Sequence, residues 1–402
     1  MIENQYKNLN LYENLLIFSM IAGSGLSFNK IYLYHIFMII NFIIVIYYIK
    51  IDNYKFIIEN KVMIIFFIYS FFHMFFVIDY ILTLKNQIYI TCGISIFYTI
   101  KYLLIKNSPQ VFIIIKKIFF FSCLIGFLEI FHIFRWFSSA YSLDLSSPSV
   151  FWGNINNYAT VLIMILPFIF FTKNSLKKLI ILLISIYLLI KCDSRANNIA
   201  LIIEIFIYTI LVFYKSNIYK KIILFFSGFF LIVLLKNKII EKFYLIYELF
   251  VASSIRMDSI GVRKILIINL LSELKKINVF LFGLGGGNSI VIHKIKGNTY
   301  GILSNHSFFL ELLVEYGIFI FILLGSYYLI LIYKNLKRYL KLDNHINGAL
   351  FISLIGVAIG LNSMSGMIYF FPFWLLLGIA DFYSDKKSIS IEKYIYNIME
   401  IF

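Results

Sequence analysis

Charge is scarce in this chain. Asp, Glu, Lys and Arg together make up 14% of its 402 residues, where a soluble domain carries about a quarter. Proline is scarcer still, with four residues, so long helices can run with few interruptions. Cysteine is limited to Cys92, Cys123 and Cys192. An odd number without paired spacing excludes a disulfide framework and a cysteine metal site, and the three are read as small hydrophobes. Alternating period-two segments of the membrane-barrel type are absent. No basic stretch is interleaved with base-stacking aromatics on a polar face, which argues against nucleic acid despite a net charge of +16. No small-residue cleavage site follows the first apolar run, so that run is expected to remain as a membrane anchor.

What is present is oil. The chain is 61% hydrophobic, with 44 Phe and 30 Tyr. A soluble protein of this size cannot enclose so much apolar surface, so most of it is expected to face lipid or other membrane helices. A bilayer leaves helices as the spanning structure once barrels are excluded. The apolar runs predict twelve helices, at 11–29, 31–49, 62–83, 87–105, 111–133, 157–172, 178–191, 195–214, 220–236, 305–333, 347–361 and 366–382. The fold class is therefore an all-α polytopic membrane protein, with 1–402 as a single integral membrane domain. A long outer loop at 237–304, carrying short amphipathic helices, is part of it. Lys and Arg set the orientation. Lys50, Lys55 and Lys61, Lys101 and Lys106, Lys177 and Lys178, Lys220 and Lys221, and Lys334 to Lys341 all fall on one side. The short segments of the other side hold Lys30, Lys85, Arg135, Lys191 and Arg195. By the positive-inside rule both termini are cytoplasmic and the long loop is outside. The lysine clusters themselves read as headgroup attraction and topology setting.

The polar residues concentrate at five places. Ser147 to Thr160, with Gly153, Asn154, Asn156 and Asn157, is an amide-rich turn into a helix. It is either a helix cap or a set of amides for a sugar or diphosphate. Asp193-Ser194-Arg195-Ala196-Asn197-Asn198 opens the next polar-headed helix. Arg195 there either snorkels to headgroups or joins the helix N-terminus in an anion site. Glu204 lies deeper in the same helix and points elsewhere. Arg256 and Arg263 stand seven residues apart. They belong either to a helix lying on the membrane surface or to a guanidinium fork for pyrophosphate. Gly283-Leu284-Gly285-Gly286-Gly287-Asn288 lacks the Lys-Ser/Thr and the strand-helix context of a P-loop, and a tight turn with positive φ accounts for it. His306 opens a helix after Ser304-Asn305; Glu311 and Glu315 are rotated away from it on ideal geometry. No metal-ligand constellation emerges, and no cofactor is expected.

Taken in order, Gly153-Asn-x-Asn-Asn-Tyr-Ala159, Ser194-Arg195 at a helix start, Arg263 with Phe282-Gly-Leu-Gly-Gly-Gly-Asn288, and His306-Ser-Phe-Phe-Leu-Glu-Leu-Leu-Val-Glu-Tyr-Gly317 resemble the O-antigen ligase / O-antigen polymerase superfamily. The motifs cover about residues 145–335. Asn197-Asn198 after Ser-Arg, and Ser307 after the histidine, depart from the usual pattern. That family builds surface polysaccharides from undecaprenyl-diphosphate-linked sugars at the outer face of the bacterial cytoplasmic membrane. The resemblance implies a metal-independent glycosyltransferase in which Arg195 and Arg263 contact the diphosphate and His306 is catalytic; Arg256 and Asn157 are further substrate-binding candidates. Implied partners are the lipid-linked glycan donor and acceptor, membrane lipids and other polysaccharide-assembly proteins. A capsule or teichuronic-acid type polymerase is preferred. A ligase passing the glycan to lipid A core is the alternative. A flippase of lipid-linked sugars is a third reading, and it would require two related halves that the sequence lacks.

Overall fold

The computed structural model describes residues 8–23, 27–28, 31–32, 43, 60–136, 147–172, 175–215, 259–297, 307–364, 366 and 368–385. They are helical almost throughout. The helices are α1 (Leu11–Ala22), α2 (Lys61–His73), α3 (Tyr80–Ile130), α4 (Ile155–Phe170), α5 (Leu176–Lys191), α6 (Arg195–Lys215), α7 (Ser259–Leu274), α8 (Ile277–Phe282), α9 (Ser289–Lys296), α10 (Phe308–Leu342), α11 (His345–Gly360) and α12 (Phe371–Ser384). Three of these, α3, α6 and α10, are long and apolar enough to cross a membrane, and α1, α2, α4, α11 and α12 are shorter apolar helices. Large apolar side chains such as Phe72, Leu183, Phe206 and Leu329 point outward, as lipid-facing residues do. The chain thus has the helical, apolar character of a membrane protein.

Polar caps start the helices. Asn10 and Glu13 form a capping box on α1. Asn60, Ser175 and Asn344 accept a hydrogen bond from the first turn of α2, α5 and α11. The 51-residue α3 is two arms. Asn107 leaves helical geometry at φ −159°, ψ 79°, and its Oδ1 accepts from Gln110 N at 3.0 Å. It therefore caps the second arm, whose first turn tolerates Pro109 because the missing N–H is unpaired there anyway. The arms fold back beside α12. Tyr89 packs on Tyr369 at 4.4 Å between rings, Ser108 bonds Tyr383 at the bend, and Phe112 returns to the same Tyr383.

The bundle has two distinct ends. At one, lysines are held by acids and carbonyls: Lys106 by Glu13 at 2.6 Å, Lys101 by Asp381, Lys215 by Asp343 and Lys178 by Phe170 O at 2.8 Å. The other end holds the first turns of α4, α6 and α10 and the α7–α9 insertion. The main core runs through α1 to α6 and α10 to α12, while α7–α9 share a satellite cluster with α10.

Several boundaries differ from those the sequence predicts. The first helix stops at Ala22, not 29, because Gly23 takes φ 52°; Ser27–Phe28 then pairs antiparallel with Ile31–Tyr32. The run 62–83 is broken: α2 ends at His73, a 3-10 turn covers Met74–Phe76, and Asp79 caps α3 by accepting from Leu82 N. The helix expected at 305–333 begins at Phe308, breaks at Gly317 and extends to Leu342. The last helix begins at Phe371. The helix expected at 31–49 does not start there, since Ile31–Tyr32 belong to that strand pair; apart from Ile43 its remaining residues, like the helix expected at 220–236, lie outside the described residues.

Candidate functional site

The first turns of α4 and α6 are tied together by Asn197. Fully buried, it donates to Ser194 Oγ at 2.8 Å and to Ser363 Oγ, beyond α11, at 3.1 Å. Its Oδ1 accepts from Thr160 Oγ1 of α4 at 3.2 Å. Gly360 lies so close that a Cβ there would stand 2.4 Å from Asn197 Oδ1. This packing sets two helix N-termini side by side and leaves Arg195, the first residue of α6, exposed. Aligned peptide dipoles make such a place positive. Asn157 and Asn198, in the same first turns, each bury an amide oxygen to which no described residue donates a hydrogen bond.

Arg263 comes from α7 and approaches Arg195. It is partly buried. Burial first, and the charge of Arg195 second, hold its pKa below the ordinary arginine value, and the shift leaves a guanidinium charged at neutral pH. No salt bridge joins either arginine to a carboxylate among the described residues. Two like charges within electrostatic reach, with no described acid paired to either, suit an anion with more than one charged oxygen.

The glycine turn fixes how α8 and α9 sit on the bundle. Gly283 and Gly317 both adopt backbone angles open almost only to glycine, φ 87°, ψ 177° and φ 76°, ψ 176°. Each also lies against the backbone just before the other: a Cβ on Gly283 would meet Glu315 O at 2.4 Å, and one on Gly317 would meet Leu281 O at 2.3 Å. The amides are consumed by protein. Leu284 N donates to Val314 O at 2.9 Å and Gly285 N to Glu315 O at 3.0 Å. Gly287 N donates to Glu315 Oε2 at 2.9 Å, and Ser289 Oγ bonds the other carboxylate oxygen. Asn288 accepts from Asp79 N at 2.8 Å and donates to Thr83 Oγ1 at 2.7 Å. Tyr69 donates to Phe282 O at 2.7 Å, and the His73 ring packs against that of Tyr69. These bonds make it a structural joint and leave no cradle for phosphate.

On the neighbouring side Glu129, at the end of α3, accepts from Trp136 N at 3.0 Å, Ser149 N at 2.9 Å and Val150 N at 3.0 Å. It thereby pins the chain that leads into Asn154 and α4. Trp152 stacks on Tyr158 and donates to Ile21 O at 3.0 Å.

Of the residues singled out from sequence, Arg195, Asn157 and Arg263 lie at one end of the bundle. Arg256 and His306 lie outside the described residues. Glu204 is fully buried beside α11; a Cβ on Gly356 would come within 1.9 Å of its Oε1. His293 is buried. Sequence reasoning passed over Glu129, whose partners are backbone amides beyond the end of α3, and Tyr69, whose partner is the Phe282 carbonyl, and it set Glu315 aside, whose partners come from the glycine turn. Among the described residues no three His, Cys, Asp or Glu side chains gather as a metal site would require. No protein-family model matches the chain, and no curated protein matches it either.

Proposed function

We propose that this chain is a polytopic glycosyltransferase of the bacterial cytoplasmic membrane. It polymerises undecaprenyl-diphosphate-linked oligosaccharide units into a surface polysaccharide at the outer face. The observation that carries the reading is the pair of helix N-termini that Asn197 holds side by side, with Arg195 exposed at their mouth and Arg263 of the long insertion within reach of its charge. A lipid diphosphate is a good leaving group whose charge grows as the anomeric C–O bond breaks. Guanidiniums and two helix N-termini are the groups that stabilise such charge, and the unpartnered amide oxygens of Asn157 and Asn198 can accept from a sugar hydroxyl. His306, carried by its place in the resemblance, accepts the proton of the incoming hydroxyl, a task suited to an imidazole near neutral pH. Arg256, seven residues before Arg263 in the sequence, is a further candidate for the same diphosphate. The lysines gathered at the opposite end of the bundle support the orientation with that end cytoplasmic.

The test is purified protein in vesicles with lipid-linked repeat units as the sole substrate. Longer lipid-linked glycans are expected. Product only after an acceptor such as lipid A core is added would make the chain a ligase. Movement of the lipid-linked sugar across the bilayer without bond formation would make it a flippase and remove the enzyme.

A further inference from the structure

The insertion that brings Arg263 to the site has two unlike sides. Inward, Leu270, Val279, Leu284 and Ile292 bury against Val314 of α10. Outward, Ile268, Leu271, Ile277, Phe280, Phe282 and Ile295 are exposed, Ile277 by 70% and Ile295 by 72%. An apolar face of this kind marks a surface that meets something other than water.

Charge and continuity say what it meets. Lys275 and Lys276 precede Ile277, and Lys294 and Lys296 flank Ile295. Lys275, Lys276 and Lys294 are exposed beside the apolar residues. The sole carboxylate in 259–297 is Glu273, already held by Lys276 at 2.6 Å and Lys296 at 2.8 Å. The patch is thus oily, rimmed with positive charge and without free negative charge, which complements an anionic lipid surface. It is also continuous with the lipid-facing belt. Tyr69 of α2 reaches Phe282 O, and Phe71, Phe72 and Phe75 next to it are exposed.

We infer that α7–α9 lie in the membrane interface, with this face sunk among anionic headgroups and the upper acyl chains, rather than standing off into water. Such helices sit about 5–10 Å into the headgroup boundary. Arg263 is four residues before Ile267, so on helix geometry it stands at the edge of the exposed stripe, between the lipid-facing side and the satellite core. The interface therefore sets the height of that guanidinium at the level of lipid phosphates. The inference rests on the apolar, helical character of the chain and not on glycosyl transfer.

Nitroxide labels on the full chain in vesicles containing phosphatidylglycerol test it, at Leu271→Cys, Ile277→Cys and Ile295→Cys. The native cysteines Cys92, Cys123 and Cys192 are buried. Phe206→Cys on the exposed face of α6 is the lipid reference, and Lys341→Cys at the far end of α10 is the water reference. The oxygen-to-nickel accessibility ratio is expected to rise several-fold above that of Lys341→Cys, toward that of Phe206→Cys. Ratios matching Lys341→Cys overturn the inference. So does protection from both reagents, which would mean that another copy or another segment of the chain covers the face. Phe280→Trp, quenched by lipids brominated high in the acyl chain, gives a second reading that avoids the label; no added quenching relative to the unsubstituted chain also overturns it.

Discussion

Arg263 and Arg195 come from different parts of the chain, and burial first and the charge of Arg195 second disfavour the charge on Arg263. Such an arrangement costs free energy in the empty protein and becomes favourable once a doubly charged anion lies between the two groups. If the chain polymerises lipid-linked units as proposed, Arg263→Ala or Arg195→Ala is expected to lower elongation by 100-fold or more, on the order of 3 kcal/mol of transition-state stabilisation, while the protein still inserts in the membrane. Arg→Lys at either site is expected to recover only part of it, because a point charge does not reproduce the bidentate fork. Near-normal chain length on a gel of the lipid-linked products would remove these residues from the site.

His306→Ala is expected to abolish elongation as well, with a different signature. Loss of a base is expected to lower kcat with little change in KM for the lipid-linked donor, whereas the arginine variants raise KM too. His306→Gln restores a hydrogen bond without a base. If it retains wild-type turnover, the proton-accepting role is wrong.

Much of the bundle can be read from the chain because apolar length and caps are local. The break before Pro109, the start of α6 at Arg195 and the turn at Gly283 follow from residue chemistry within a few positions. The run from Lys61 to Thr83 misleads for the same reason. It stays apolar through Phe76 and Val77, so nothing but Asp79, an N-cap residue, marks the new helix. The joints between distant segments leave no local trace. Glu315 looks like an acid on a helix, and its role appears only when the Gly287 amide and the Ser289 hydroxyl arrive from the insertion. That Arg195 and Arg263 serve one diphosphate is an expectation carried by the family resemblance; no spacing in the sequence requires it.

Gly317→Ala separates the joint from the helix around it. The backbone angle alone costs of order 1–3 kcal/mol for a residue with a Cβ, and the methyl would also strike Leu281 O. The expected result is a lower Tm in detergent and faster proteolysis within 259–297. Gly325→Ala, in the same helix with nothing within 4 Å of its Cβ position, is expected to be neutral or slightly stabilising. Equal behaviour of the two variants would refute the joint.

Acid is expected to loosen the insertion. Burial raises the pKa of Glu273, but hydrogen bonds and charge from Lys276 and Lys296 outweigh it, so the carboxyl stays below the ordinary glutamate value of 4.5. A depressed folded value means that the ionised group adds stability above the unfolded pKa, and that this is lost as pH falls through the folded one. Protection of the α9 amides, relative to their intrinsic exchange rates, should fall below the ordinary glutamate value, and Glu273→Gln should show that lower protection already at neutral pH. An unchanged profile in that variant would exclude the clamp.

The far end of the bundle offers a test of fold alone. Lys101 and Asp381 form an ion pair with side chains 7% and 15% exposed, and Asn60 donates to Asp381 Oδ1 at 3.2 Å and to Tyr327 OH at 2.7 Å. Breaking such a pair leaves a charge without compensation, so Asp381→Ala should destabilise by about 3–5 kcal/mol. Replacing both partners with apolar residues of similar volume, Lys101→Met with Asp381→Leu, removes the stranded charge and the desolvation penalty together, and should recover most of the loss. Thermal melts of the two variants in detergent measure the difference. If the double variant is no better than Asp381→Ala, the pair is needed for its hydrogen-bond geometry with Asn60 rather than for charge balance.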